Sequence, residues 1–297
     1  MLASIAVSPA QGLVGDSSFG ESTTGSVPAG QTVFGKHEFV EYVVGNLPIV
    51  ISVPHGGSLK PPTIPDRTLG TAGHQDTGTQ ELAREIIEIF RKQTGKFPHV
   101  IINRLHREKL DANRELFDAA QDDSIASEAW NEFHGFIDAA EQRMKLDFGT
   151  GLYIDLHGHR HPRQFIELGY LLVSNQLKLS DAELDSTVQP ATTSIGLVVR
   201  NRTKSLSQLV RGINSFGEVL EREGFATVPS SAHPDPGTEP YFSGGYNLEQ
   251  HSAFSGKTAI GIQVELPTGI REDDVRRKAF AAAFVKSALD FLSNVRE

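Results

Sequence analysis

The sequence predicts an α/β fold: a three-layer α/β/α arrangement around a mixed, largely parallel central sheet. Three observations predict it. Short, near-continuous apolar runs suit strands that are covered on both faces. Helical patterns with one apolar stripe separate those runs. Four of the runs end in residues able to do chemistry, where open α/β sheets place their ligands.

In chain order, residues 1–35 are rich in Ser, Thr and Gly, lack periodicity and read as an irregular arm. Regular patterning starts at "FGKHEFVEYVVG". "LPIVISVPHGG" reads as a buried strand ending at Pro54-His55-Gly56-Gly57, with the glycines expected to let the backbone turn sharply. "GTQELAREIIEIFRKQ" carries Leu82, Ile86, Ile89 and Phe90 on one helical stripe. "PHVIINRLHR" is the next strand, ending at Asn103-Arg104. "SEAWNEFHGFIDAAEQRM" sets Trp130, Phe133, Ile137 and Met144 on a second stripe. In the strand "GLYIDLHGH", period-two alternation puts Tyr153, Asp155 and His157 on one side. "SLSQLVRGINSFGEVLEREG" reads as one helix stopped by Gly224. "AIGIQVELP" is a strand ending at Glu265, and "EDDVRRKAFAAAFVKSALDFLSNV" is a closing helix with acids in its first turn. No linker rich in Gly and Pro splits the chain after residue 35, so 36–297 reads as one domain.

Composition excludes several classes. The formal charge is −9, which argues against nucleic acid or an anionic membrane as the main partner. There are no cysteines, so any metal must sit on His, Asp or Glu. No apolar run is long enough to span a bilayer, and "MLASIAVSPAQGLVG" lacks the basic start of a signal peptide. The compartment stays open between the cytoplasm and export. "NRT" at 201–203 fits a glycosylation sequon, a pattern common by chance.

The candidate site lies where the strands end. His55 is held at a sheet edge by Pro54 and the two glycines. Asp155, inside an apolar run, needs a partner, and a ligand histidine at 157 is one candidate. Gly158 and Pro162 argue against a helix that would pair His157 with His161, so His159 reads as site-lining and His161 as solvated. Two histidines with one carboxylate and an open position form a common catalytic zinc arrangement, and the set also fits iron or manganese. Asp66, Asp76 and Glu81 are the candidate carboxylates, though an aspartate before a helix is often only its cap. Glu265 is placed to take a proton from water. Arg107, Asn113 and Arg114, in the charge-dense stretch 106–115, are candidates to clamp a carboxylate or an oxyanion, and Arg104 nearby adds a candidate positive charge for an anionic substrate.

"VPHGG", "KLDANRE", "DLHGH", "EPYFSGGYN" and "IQVEL", in this order over residues 40–267, resemble the N-formylglutamate amidohydrolase family, related in fold to the zinc carboxypeptidases and aspartoacylase-like deacylases. The resemblance implies a phosphorylase/hydrolase-like sheet and one zinc per chain at the strand ends, on His55, Asp76 and His157. It gives Glu265 the role of general base and Asn113 with Arg114 that of a substrate clamp. Gly244, Gly245, Tyr246 and Asn247 fall in its glycine-rich active-site loop. "PHGG" and "DLHGH" stand where the family's deformylases carry "PHSG" and "DCHS", which resembles a different branch of the family. The expected reaction is hydrolysis of a C–N amide bond in a small anionic acyl-amino acid such as N-formylglutamate, with Arg107 or Arg114 holding the oxyanion or a carboxylate. A carboxypeptidase-like or cell-wall peptide amidase would use the same ligands around a longer cleft. A serine hydrolase would need the G-x-S-x-G frame, which Ser243 lacks. A binding module without catalysis would be expected to lose Glu265 or a metal ligand.

Overall fold

The computed structural model of the chain describes residues 27–69, 74–200 and 204–296. The first 26 residues of the expected arm and the sequon at 201–203 lie outside them. Eight strands form one sheet: β1 (Thr32–Phe34), β2 (Val40–Val43), β3 (Ile49–Val53), β4 (His99–Asn103), β5 (Gly151–His159), β6 (Ile166–Gly169), β7 (Thr227–Val228) and β8 (Ala259–Pro267), in the order β1-β2-β4-β3-β5-β8-β6-β7. The four central strands β4, β3, β5 and β8 run parallel. β2 joins β4 antiparallel, β6 joins β8 antiparallel, and β1, which lies inside the stretch expected to be irregular, pairs antiparallel with β2. The sheet is mixed and largely parallel, as the apolar runs require.

Alternation divides the core between the two faces. On β5, Leu152, Ile154 and Leu156 join a cluster with Ile49, Ile51 and Phe280, while Tyr153 joins Val50, Ile101 and Phe133 on the other face. Helix α1 (Thr79–Thr94) buries Leu82, Ala83, Ile86, Ile87 and Phe90, with Ile89 at the rim of the stripe. It packs beside the C-terminal helix Asp274–Arg296 on the first face. On the second face, the helix Ser124–Phe148 buries Phe133, Ile137 and Met144, and Asp123 caps it by accepting from the N–H groups of Ile125 and Ala126.

One expectation fails for a local reason. The expected single helix over 205–224 is two, Leu206–Arg211 and Phe216–Arg222. Ser215 starts the second by accepting from the Glu218 N–H at 3.2 Å, so a capping signal inside the periodic stretch overrides its periodicity. The turn at Gly56-Gly57 needs no left-handed backbone, because neither glycine has positive φ. Their smallness serves close approach: a Cβ on Gly57 would lie 2.3 Å from the backbone of Arg104 and Leu105.

Candidate metal centre

His55, at the end of β3, and His157, near the end of β5, lie side by side with ring centroids 4.8 Å apart. Both are buried. Each ring is gripped from behind. His55 Nε2 donates to Asp111 Oδ1 at 2.7 Å, and His157 Nε2 donates to Asp155 Oδ2 at 2.7 Å. In the neutral ring, a proton fixed on Nε2 leaves Nδ1 with a lone pair, and a carboxylate behind a ligand histidine sets its tautomer and raises its basicity. Each Nδ1 lies 3.5 Å from the same oxygen, Asp76 Oδ2.

That oxygen is held by the chain around it. Asp76 N–H donates to the His55 carbonyl at 3.0 Å, and Gly158 N–H donates to Asp76 Oδ2 at 3.0 Å. The side chain does not cap α1: Gly78 is the N-cap residue, without a side-chain bond. Of the other candidate carboxylates, Asp66 is exposed and paired with Lys109, and Glu81 is exposed on α1.

The donor set fits a divalent cation. Zinc bonds of about 2.0–2.1 Å at tetrahedral angles hold neighbouring ligand atoms about 3.3 Å apart, close to the spacing found here. His55 Nδ1 and Glu265 Oε2 are both buried without a hydrogen-bond partner. Unsatisfied buried acceptors facing one cavity are what a cation would satisfy. Burial opposes ionisation of Asp76, but the two histidines beside it outweigh burial and hold its carboxyl well below the usual range. Burial likewise disfavours protonated His157, and Asp155 reverses this, keeping the imidazole well above its ordinary value.

Asp111, Asp155 and their supports form the shell around the two histidines. Asp155 is fully buried and also accepts from Ser52 Oγ at 2.6 Å and Asn247 Nδ2 at 3.2 Å. Asp111 accepts from Arg107 Nε at 2.9 Å and lies 3.5 Å from Arg114 Nε. Burial would raise the Asp111 carboxyl, yet His55 and Arg107 hold it well below its ordinary value. Sequence reasoning missed Asp111 as a partner of His55. Its one signal was position, since it stands two residues before the Asn113 of "DANR" and so shares that turn.

The site is a cavity of about 440 Å³. Predicted residues His55, Asp76, His157, Glu265, Arg107, Arg114, Asn113, Gly244, Gly245 and Tyr246 line it. Glu265 is in register with His157 across β5 and β8, and Gln263 Nε2 donates to its Oε1 at 2.9 Å. Burial pushes the Glu265 carboxyl up to about 8. Asn247 supports the site from behind: its N–H donates to Asn113 Oδ1 at 2.8 Å, and its side chain reaches Asp155.

Like Asn247, two more predicted residues, Arg104 and His159, do not line the cavity. Arg104 donates to the Glu38 carbonyl at 2.7 Å and lies over the Phe34 ring, so its charge is engaged at the β1 edge. His159 is buried, with Nε2 donating to the Phe165 carbonyl at 2.8 Å and Nδ1 accepting from His161 N–H at 3.1 Å, so neither nitrogen is left for a ligand. His161 is only partly exposed and donates to Glu167 at 2.7 Å. Elsewhere among the described residues, Asp138, Glu141 and His251 also cluster, but Lys257 Nζ sits within 2.6 Å, 2.7 Å and 3.0 Å of them and already supplies the positive charge.

No protein-family model matches the sequence, and no curated protein matches it. Solved structures do share its fold over nearly their whole length. One is the crystal structure of N-formylglutamate amidohydrolase from Ralstonia eutropha JMP134, at TM-score 0.52 and 14% identity, covering 86% of this chain and 98% of that one. Another is a gene product of Agrobacterium tumefaciens, at TM-score 0.50 and 12% identity, covering 89% and 99%. The likeness to N-formylglutamate amidohydrolase read from the sequence motifs is thus matched by a likeness in fold.

Proposed function

We propose that residues 36–297 act as one catalytic unit, a metal-dependent amidohydrolase for small N-acyl amino acids, N-formyl compounds included. The observation that carries this reading is the pair of buried histidines, each backed by a buried carboxylate and each turning Nδ1 to Asp76 beside an unpartnered Glu265 oxygen. The fold shared with an N-formylglutamate amidohydrolase supports it, and so does a cavity within the usual range for small ligands.

A zinc ion held by His55, Asp76 and His157 would supply Lewis acidity toward an amide carbonyl and would make a water acidic enough to react near neutral pH. Glu265 takes the proton from the attacking water at Oε2, its unpartnered oxygen. A carboxyl held high by burial also gives that proton back, and the departing amide nitrogen receives it. Arg107 and Arg114 turn Nε to Asp111 and also line the cavity. Their guanidinium groups meet the substrate's carboxylate or the oxyanion that develops at the carbonyl. Asn113, Gly245 and Tyr246 shape the wall beside them. The fit at Gly245 is tight, since a Cβ there would come within 2.8 Å of Asn113 Nδ2.

The test is release of free amine from a panel of N-formyl and N-acetyl amino acids by the zinc-loaded chain. Turnover that vanishes in Glu265→Gln, with metal retained, supports the reading. No amine release from any member by a fully loaded chain would refute it.

A further inference from the structure

We infer that Phe242 is a fixed aromatic shelf at the mouth of this cavity and selects substrates whose amino-acid side chain is aromatic or bulky and apolar. The inference rests on the amidohydrolase reading for the identity of the bond cleaved, and on geometry for the selection. Phe242 lines the same cavity as His157 and Glu265, yet its side chain is an exposed large apolar group, at 41%. Exposed aromatic surface inside a functional cavity is ready to be covered by a ligand.

The ring does not swing freely. It stacks on His161 with centroids 4.7 Å apart and planes 14° apart. One buried carboxylate holds both partners: Glu167 Oε1 accepts from His161 Nδ1 at 2.7 Å, and Glu167 Oε2 accepts from the Phe242 N–H at 2.8 Å. The flanking chain is tied as well. Tyr241 OH donates to the Leu168 carbonyl at 2.5 Å, and Leu171 N–H donates to the Ser243 carbonyl at 2.7 Å. An apolar surface fixed before binding loses little side-chain freedom when a ligand covers it. This arrangement also gives His161 and Glu167, which the metal centre does not use, a definite role: they position Phe242.

The rest of the cavity sets the substrate's orientation. The carboxylate lies toward Arg107 and Arg114, the scissile amide toward His157 and Glu265, and the side chain reaches the lip at Phe242. A second carboxylate, as in a glutamate, would meet an aromatic ring there rather than a cation. Covering the exposed part of the ring with a second ring is worth about tenfold in affinity.

The chain's single tryptophan allows a test that does not depend on turnover. Trp130 Nε1 donates to the Arg114 carbonyl at 2.9 Å, and its ring lies 6.3 Å from Tyr246. Its fluorescence can therefore report occupancy of the cavity. The zinc-loaded full chain is titrated with N-formyl-phenylalanine, N-formyl-alanine and N-formyl-glutamate, and amine release is followed in parallel. The shelf predicts that the phenylalanine compound binds about tenfold more tightly than the alanine compound, and that Phe242→Ala brings this ratio below about twofold while Phe242→Leu keeps most of it. Equal affinities in the wild type, or a preference that survives Phe242→Ala, would overturn the inference. Absence of amine release with the affinity pattern intact would refute the hydrolase reading and leave the shelf standing.

Discussion

Replacing Asp155 by asparagine tests whether the carboxylate behind His157 makes it a metal ligand, as the proposed function requires. The substitution keeps size and shape and removes one charge. The new side chain can still accept from His157 Nε2 through its single oxygen. Its amide nitrogen then stands where Oδ1 accepted from both Ser52 Oγ, which can turn to accept, and Asn247 Nδ2, which cannot. One donor–donor contact in a fully buried site costs about 1–3 kcal/mol of folding stability. The larger consequence falls on the metal. Loss of a carboxylate partner behind a ligand histidine weakens metal binding by about 10–100-fold, or about 1.4–2.8 kcal/mol. Zinc affinity is measured by competition with a chromophoric chelator, and metal-free thermal unfolding separates the folding cost. Asp111→Asn behind His55 should give an effect of similar size. An Asp155→Asn protein that is folded and binds zinc within about threefold of wild type would refute the reasoning.

Other outcomes follow from the same structure. Glu265→Gln should lower turnover of N-acyl amino acids by about 10²–10⁴-fold while elemental analysis finds the metal still bound. Gly57→Ala should cost about 1–3 kcal/mol in denaturant unfolding, because the new Cβ meets backbone and not a mobile side chain. His99 should make stability depend on pH: burial lowers its imidazole from 6.5 to about 3, and Nδ1 already accepts from Tyr42 and from the Gly45 N–H. The folded chain therefore resists a proton that the unfolded chain takes up. The contribution is complete above pH 6.5 and is lost as pH falls toward 3, at about 1.4 kcal/mol per pH unit. His134 is lowered to about 3 by burial and adds to the same window, so His99→Gln should remove only its own share of the slope between pH 7 and 5 in urea titrations. A slope unchanged in that variant would count against the assignment.

The sequence revealed most where one residue type had one physical use. The four central strands were legible because a strand covered on both faces has to be apolar throughout. His55, His157 and Glu265 were legible because polar groups at the ends of such strands stand out. Asp76 was not separable from a helix cap by sequence, because its role depends on Gly158 meeting it from β5, far away in the chain. β6 and β7 went unread because four residues around Glu167 and two around Thr227 are too short to show a period. Arg104 looked like a site cation because it follows Asn103. The alternation of the strand sends it instead to the outer edge, while Asn103 turns inward and donates to the Pro54 carbonyl at 2.8 Å. His159 misled in a similar way: it extends the period of Asp155 and His157 but is taken up by the chain that folds back onto it.

Whether the two histidines and Asp76 hold an ion is decided by metal stoichiometry from elemental analysis, wild type beside His157→Ala, after reconstitution with zinc and removal of the excess. About one zinc per wild-type chain is expected, with that zinc lost in a variant that remains folded. A wild-type chain that keeps no metal, or a His157→Ala chain that keeps as much as wild type, would contradict the proposed metal site.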